Sequence, residues 1–217
     1  MILIPVKNLA TAKQRLALVA DQAARTELAQ AMLCDVLDVV RGIRAPSDVS
    51  IVTSDPFALE TANTFHFSVI ADRANRGETD AIETATRICE LRGIRTTLVI
   101  PGDIPLIKTG ELERIFASAP DQGSVLVPSA DGRGTNAVYR NPAGLFRLQF
   151  GNDSFQPHLA AAKKSGMPCT VLSLPGIALD IDTPSDLQQL AAAPGETRAQ
   201  RLARKWQFED LPVAANE

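Results

Sequence analysis

Two aspartates interrupt apolar segments of the chain, and their setting is typical of metal and phosphate chemistry. Asp103 lies in the run TLVIPGDIPLI (97–107), and Asp182 interrupts a second apolar run; a proline turn follows each. Two carboxylates brought together would repel each other unless a cation lay between them. Mg²⁺ commonly takes one or two protein carboxylates and completes its octahedron with phosphate oxygens and water. The pattern predicts Asp103 and Asp182 as magnesium ligands.

Three cations follow the first apolar segment and could hold a triphosphate. Lys7 comes directly after MILIPV (1–6), and Lys13 and Arg15 lie a few positions further along. Arginine can grip a phosphate with two hydrogen bonds, whereas lysine acts as a mobile point charge. Spacing alone favours the simpler alternative for Lys13 and Arg15, which is a pair of solvated charges at a helix entrance. Their phosphate-binding role is therefore a hypothesis.

Asp55 and Asp72 follow the next two apolar segments and are candidates for nucleotide binding. Ligands of open α/β sheets bind beyond the carboxyl ends of the strands, where these side chains would lie. Aspartate is also common in turns, because its side chain hydrogen-bonds to nearby backbone. The two interpretations carry equal weight for this pair.

Alternating strands and helices must position these groups. Apolar segments at 1–6, 48–55, 67–72 and 96–101 predict four strands, and helical spacing of apolar residues predicts helices that include 21–41 and 79–91. Such alternation over the first 128 residues is typical of a mostly parallel sheet with helices on both faces. Strands that follow each other more closely after residue 123 predict a mixed order there.

These elements predict one α/β domain over residues 1–193 and a C-terminal tail over 194–217. We expect Gly42 to end the long helix and Thr109 to cap a helix that runs through Phe116. Thr183, Pro184 and Asp186 form a strong helix start.

The segment FGNDSFQPH (150–158) predicts the start of another helix. Gly151 frees the backbone, and Ser154 is placed to cap the helix. Helix N-termini attract anions, but a simple capped helix explains the same residues. His158 is interpreted as a packing or capping residue. GRGTNA (132–137) matches a dinucleotide fingerprint, but a strand rather than a helix is expected after it, so that interpretation is rejected.

Composition narrows the class of protein. The chain has 217 residues, 45% of them hydrophobic, and a net charge of −3, so no broad basic face and no nucleic-acid partner are expected. Its three cysteines are scattered, which favours buried packing and a reducing, cytoplasmic location. No apolar window is long enough to cross a membrane, and the first residues lack a signal-peptide pattern.

Several motifs together resemble the 2-phospho-L-lactate guanylyltransferase family of coenzyme F420 biosynthesis. They occur in family order and extend to about Leu190; the segments are 4–16, 101–107, 132–137, 150–158 and 180–187. The resemblance implies a nucleotidyltransferase fold of the glycosyltransferase-A type, with a mixed, mostly parallel sheet flanked by helices. It also implies transfer of GMP from GTP to a phosphorylated carboxylic acid, with release of diphosphate. Known acceptors in the family are 2-phospho-L-lactate, phosphoenolpyruvate and 3-phospho-D-glycerate.

The resemblance also assigns roles to residues of this chain. The triphosphate would meet Lys7, Lys13 and Arg15, which with Asp103 form the predicted catalytic set. Mg²⁺ would be held by Asp103 and Asp182, with Asp180 as a further ligand. The acceptor would be cradled by Thr135, Asn136, Gly151 and Ser154. The family often has a Leu-Asn pair in the base-binding region where this chain has Asp80, so no guanine contact is assigned.

The implied chemistry agrees with the residues. An acceptor phosphate is already an anionic nucleophile, so no general base is needed, and alignment with charge neutralisation would carry catalysis. Three alternatives stay open: a molybdopterin nucleotidyltransferase, a glycosyltransferase using the DID of 180–182, and a non-catalytic module that binds through Trp206 and Phe208. The oligomeric state is also open, with a homodimer as one alternative.

Overall fold

Seven strands form a single sheet in the computed structural model, which describes residues 1–72, 77–151 and 153–206. The strands are β1 (Ile2–Val6), β2 (Val49–Thr53), β3 (Ser68–Ala71), β4 (Thr97–Val99), β5 (Gly123–Pro128), β6 (Thr135–Asn141) and β7 (Cys169–Val171). Their order across the sheet is β3-β2-β1-β4-β6-β5-β7. Strand β6 runs antiparallel to its neighbours β4 and β5, and the other pairings are parallel. The predicted mixed, mostly parallel sheet is confirmed.

Helices cover both faces of this sheet. They are α1 (Gln22–Ile43), α2 (Pro56–Phe65), α3 (Glu78–Leu91), α4 (Thr109–Ala117), α5 (Phe155–Lys164), α6 (Pro175–Ala178), α7 (Pro184–Ala192) and α8 (Arg198–Lys205). Short 3-10 turns occur at Leu9–Thr11, Gln14–Leu16 and Pro46–Asp48. Within the described ranges, no helix combines the length and the apolar character that a membrane span requires.

The core has two layers because strand side chains alternate between the faces of the sheet. Ile2 and Ile4 of β1 pack with apolar residues of α1, α2, α4, α7 and α8, whereas Leu3 packs with those of α3 and α5. Most of these apolar side chains are almost completely buried. The two packed layers fix the sheet and therefore the positions of the loops at its edge.

Two helix ends differ from the predictions. Helix α1 is capped by Asp21, whose Oδ1 accepts from the Ala24 amide at 2.8 Å, and it continues through Gly42 to Ile43. Ile43 packs against the core, which stabilises the one helical residue beyond the glycine. Helix α4 has Lys108 rather than Thr109 at its N-cap, because the Lys108 amide donates to Glu111 Oε2 at 3.0 Å. The predicted capping of α7 by Thr183 and Asp186 is confirmed.

The predicted boundary after residue 193 separates α7 from a helix that packs beside it. Ala199 and Ala203 of α8 lie in the same core as α1, and Trp206 packs against that core. Asp35 of α1 accepts hydrogen bonds from the backbone amides of Arg198 (3.0 Å) and Ala199 (2.9 Å). The first part of the predicted tail is thus an integral element of the fold, while Phe208 lies outside the described residues.

Candidate active site

The candidate site lies at one edge of the sheet, where the parallel strands β1 to β4 end. Lys7 follows β1, Asp72 follows β3, and Asp103 follows β4 after the Pro-Gly turn. Because β6 runs in the opposite direction, its first residues, Thr135 and Asn136, reach the same edge. The topology therefore gathers side chains that are far apart in the sequence.

Lys13 lies between the two carboxylates that the sequence singles out, and the three side chains form what we call the Lys13 cluster. Lys13 Nζ is 2.5 Å from Asp103 Oδ2 and 2.9 Å from Asp182 Oδ1. The Lys13 side chain is only 8% exposed, and its backbone adopts the left-handed conformation, with φ of 57°. Such a backbone is unfavourable for a residue other than glycine, and strain of this kind is concentrated at functional sites. Arg15 Nη1 lies 3.6 Å from Asp182 Oδ2 on the more exposed side.

Electrostatics keep this cluster charged. Burial disfavours the Lys13 ammonium, but the charges of Asp103 and Asp182 outweigh that effect and raise the Lys13 pKa. Burial likewise opposes ionisation of Asp182, but Lys13 and then Arg15 hold the pKa of its carboxyl below the usual value. At neutral pH the cluster is therefore an ammonium between two carboxylates.

Asn136 fixes the position of Asp180. Its buried Nδ2 donates to Asp180 Oδ1 at 2.9 Å and lies 3.0 and 2.9 Å from the carbonyl oxygens of Ile177 and Ala178. Burial raises the Asp180 pKa. The hydrogen bond from Asn136 acts to lower this pKa, whereas the negative charges of Asp103 and Asp182 raise it further. Asp180 therefore lies near the cluster but is held by Asn136.

Two cavities flank the Lys13 cluster. The larger, of about 450 Å³, is lined by Arg15, Asp180, Thr135, Gly151 and Ser154, among others. The smaller, of about 200 Å³, is lined by Lys7, Lys13, Leu9 and Met32, among others. Both are bounded by Glu78, Pro101, Asp103 and Asp182. These four shared residues therefore form the wall between the two cavities. Asp80 lines neither cavity.

Glu78 is a site residue that sequence reasoning missed. It is the first residue of α3, follows Gly77 in a positive-φ conformation (124°), and borders both cavities. Burial, and then the nearby charge of Asp103, raise the Glu78 pKa to about 7. An acid in the first turn of a helix is ordinarily explained by the helix dipole, so the sequence carried no separate signal for it.

The larger cavity has a polar side formed by Thr135 and Ser154. Ser154 is buried, and its Oγ donates to Thr135 Oγ1 at 3.2 Å. Ser154 occupies the N-cap position of α5, as predicted, but its side chain makes no capping bond because its hydroxyl is turned toward Thr135 of β6. Gly151 has a φ of 151°, and a side chain there would meet no atom within 4 Å.

His158 lies behind these hydroxyls and is completely buried. Its Nδ1 is 3.0 Å from Thr135 Oγ1, and its Nε2 accepts from the Gln149 amide at 2.8 Å. Burial, and then the positive charge of Arg140, lower the His158 pKa to about 4. The ring is therefore neutral at physiological pH, and both of its nitrogens have partners.

Asp55 and Asp72 occupy different surroundings. Asp55 is buried and caps α2: its Oδ1 accepts from the Ala58 amide and its Oδ2 from the Leu9 amide, both at 2.9 Å. It borders neither cavity. Asp72 pairs with Lys7, whose Nζ lies 2.5 Å from Asp72 Oδ2. The structure thus brings Asp72, but not Asp55, to a cation that lines the smaller cavity.

The donor set of the cluster fits a magnesium ion with phosphate ligands. Among the described residues there is no group of three or more histidine, cysteine, aspartate or glutamate side chains arranged for a metal. Asp103 and Asp182 nevertheless converge on one positive charge, the Lys13 ammonium. Two carboxylates are a sufficient protein contribution when phosphate and water complete the shell.

Comparison with solved structures identifies the fold. A protein of Desulfovibrio desulfuricans G20, described as a nucleotide-diphospho-sugar transferase, superposes with a TM-score of 0.75 at 17% identity, covering 94% of this chain and 93% of its own. The 2-C-methyl-D-erythritol 4-phosphate cytidylyltransferase of Thermus thermophilus gives 0.53 at 17% identity, with 94% and 98% covered. The fold is that of nucleotidyltransferases.

Sequence comparison identifies the family. The chain belongs to the family described as "Guanylyl transferase CofC like", whose model matches residues 1–216. The phosphoenolpyruvate guanylyltransferase of Roseiflexus sp. (strain RS-1) is 34% identical and covers 97% of each chain. The 3-phospho-D-glycerate guanylyltransferase of Colwellia psychrerythraea is 32% identical over 88% of this chain and 90% of its own. The 2-phospho-L-lactate guanylyltransferase of Methanobrevibacter smithii is 27% identical over 99% and 94%. The protein is a nucleotidyltransferase.

Proposed function

We propose that the protein transfers GMP from GTP to the phosphate of a small phosphorylated carboxylic acid, with release of diphosphate, in coenzyme F420 biosynthesis. The observation that carries this proposal is the Lys13 cluster, which forms a charged wall between two cavities. A transferase needs two substrates to meet at one charged centre. The relatives named above act on phosphoenolpyruvate, 3-phospho-D-glycerate and 2-phospho-L-lactate, which are phosphorylated acids of similar size.

Each of the two cavities is assigned to one of the two substrates. We assign the nucleotide to the side lined by Lys7 and Lys13, whose cationic groups suit a triphosphate and whose apolar floor suits a base or ribose. We assign the acceptor to the larger cavity, where Thr135 and Ser154 supply hydroxyl groups and Gly151 leaves room for a ligand to approach the backbone. Arg15 borders the larger cavity beside Asp182 and can reach the phosphates that meet there.

The reaction asks little acid or base chemistry of the protein. An oxygen of the acceptor phosphate forms a bond to the α-phosphorus of GTP, and the bond from that phosphorus to the bridging oxygen breaks, so diphosphate leaves. The nucleophile is already an anion at neutral pH. The chain's own residues align the two phosphates and offset their charge, and alignment with electrostatic stabilisation is what phosphoryl-type transfers chiefly require.

Asp103 and Asp182, with Asp180 beside them, would hold Mg²⁺ in this cleft. When bound, the ion would neutralise phosphate charge and polarise the α-phosphate toward attack. Asn136 would keep Asp180 in place, and Lys13 would add a positive charge at the same wall.

A substrate panel tests the proposal. The protein is incubated with GTP and MgCl₂ and with phosphoenolpyruvate, 3-phospho-D-glycerate or 2-phospho-L-lactate, and diphosphate release is followed. ATP and CTP replace GTP in parallel reactions, and a further reaction contains EDTA. We expect release with GTP and at least one acid, and loss of release in EDTA. Absence of release with all three acids would reject the proposal, and equal rates with ATP or CTP would reject the guanylyl assignment.

A further inference from the structure

Three consecutive backbone amides anchor the loop that leads to Gly151. The amides of residues 148–150 each donate to a side chain, at 3.0, 2.8 and 2.9 Å; the acceptors are Glu83, His158 and Thr79 respectively. Two of these acceptors belong to α3, and His158 belongs to α5. This wall of the larger cavity is therefore held by side chains rather than by strand pairing.

His158 also contacts the opposite wall. Since its Nε2 accepts from the Gln149 amide, the neutral ring carries its proton on Nδ1. That N–H donates to Thr135 Oγ1 at 3.0 Å. A backbone amide on one wall thus sets the tautomer that reaches a hydroxyl on the other.

The two hydroxyls have one proton left over for a ligand. Thr135 and Ser154 share one hydroxyl proton across their 3.2 Å contact, whichever of the two donates. Thr135 Oγ1 also accepts from His158, and no other side-chain acceptor lies against either hydroxyl in the described part of the chain. Both residues line the larger cavity. The second hydroxyl proton is therefore available to an anionic oxygen in that space.

We propose that His158 is a positioning residue for the acceptor. It joins the Gln149 amide to the Thr135 hydroxyl, fixes the distance between the two walls, and directs one hydroxyl proton into the cavity. His158 does not touch the substrate itself. The identity of the anion, a phosphorylated acid, rests on the proposed function, whereas the hydrogen-bond arrangement stands without it.

Three substitutions distinguish the roles of the two ring nitrogens of His158. His158→Asn keeps a donor close to the position of Nδ1, His158→Gln keeps an acceptor close to the position of Nε2, and His158→Leu removes both. We expect the KM for the acceptor to rise about tenfold or more in His158→Leu and His158→Gln, which is the scale of a lost hydrogen bond in a buried site. In His158→Asn it should rise much less. The KM for GTP should stay close to wild type in all three, and equal increases in both KM values would overturn the proposal.

A measurement on the unliganded wild type is independent of turnover. The chain has two histidines, and His66 is exposed, so nitrogen NMR of labelled protein contains an internal reference. We expect the proton of His158 on Nδ1, with Nε2 unprotonated, from neutral pH down to about pH 5. Protonation on Nε2 would refute the inference even if the enzyme is active. Correct protonation without any turnover would instead count against the proposed function.

Discussion

Lys13 and Asp182 lie 169 positions apart in the chain and form an ion pair of 2.9 Å at the centre of the cleft. The same ammonium contacts Asp103, so three separate loops meet at one charge. Lys13 is brought there by a left-handed backbone conformation that its sequence neighbours do not predict. The pair is the link between the two cavities and underlies the first two predictions.

Replacing Asp103 with alanine should nearly abolish turnover and leave the fold intact. Its carboxylate is partly exposed and contributes to the charged wall rather than to the core. Loss of an electrostatic group that acts on the reacting phosphates typically costs about a thousandfold in kcat. Steady-state kinetics and circular dichroism check the two parts. Asp121→Ala, at an exposed position just before β5 and at the opposite edge, is the matched control. Turnover of Asp103→Ala within a few-fold of wild type would contradict its assignment.

Lys13→Met should lower stability when no divalent metal is present. The substitution leaves Asp103 and Asp182 facing each other without their cation, and because both are partly exposed we expect a loss of about 2 kcal/mol. MgCl₂ should then raise the melting temperature of Lys13→Met more than that of wild type, where the ammonium competes for the same carboxylates. Thermal denaturation with and without MgCl₂ measures the difference, with Lys163→Met at an exposed position of α5 as control. An equal response to MgCl₂ in variant and wild type would argue against a shared site.

Asn136→Asp should be strongly destabilising. The substitution replaces a donating amide with an oxygen that faces two carbonyl groups and Asp180. Leaving buried acceptors unpaired beside a new carboxylate costs about 3 kcal/mol. Urea denaturation at pH 7 measures the loss. Asn141→Asp serves as the comparison, since its amide donates to one exposed carbonyl. Similar midpoints for the two variants would show that Asn136 is not required to hold the Asp180 loop.

The free energy of unfolding should decrease in acid because His158 is buried as a neutral ring. Its pKa is lowered from 6.5 to about 4, so between those values the unfolded chain binds more protons than the folded protein. The stabilisation is complete above pH 6.5 and is lost progressively as the pH falls toward 4, by about 3 kcal/mol in total. His158→Asn should flatten the pH dependence of unfolding over that interval, and His66→Asn, at an exposed position, is the comparison variant. Parallel curves for wild type and His158→Asn would contradict the buried neutral ring.

The sequence was most informative where local pattern and chemistry coincide. Apolar runs that end in Lys7, Asp72 and Asp103 specify both the parallel strands and the edge at which those residues meet. The convergence of Asp103 and Asp182 followed from their similar settings in apolar runs, and the structure places both on Lys13.

Other features depend on tertiary contacts and could not be predicted from the local sequence. The residues around Thr135 do not predict that β6 runs antiparallel to β4 and β5, although this direction brings Thr135 to the site. Helix α8 is highly charged; Thr197 and Gln200 give it a local capping box, but the packing of Ala199 and Ala203 on the core is a tertiary feature. Asp55 shows the converse, because its position after a strand resembled a ligand site while its carboxylate caps α2 and binds Leu9.

The single reversed strand of the sheet has an evolutionary consequence. Lys7 arrives from the forward strand β1, whereas Thr135 arrives from β6, and the two are separated by β4. Substitutions that reshape the cavity beside β6 can therefore accumulate without displacing Lys7 at the end of β1. Under the proposed assignment of the two cavities, such modularity would let one ancestral scaffold diversify its choice of small acid while its handling of the nucleotide stayed constant.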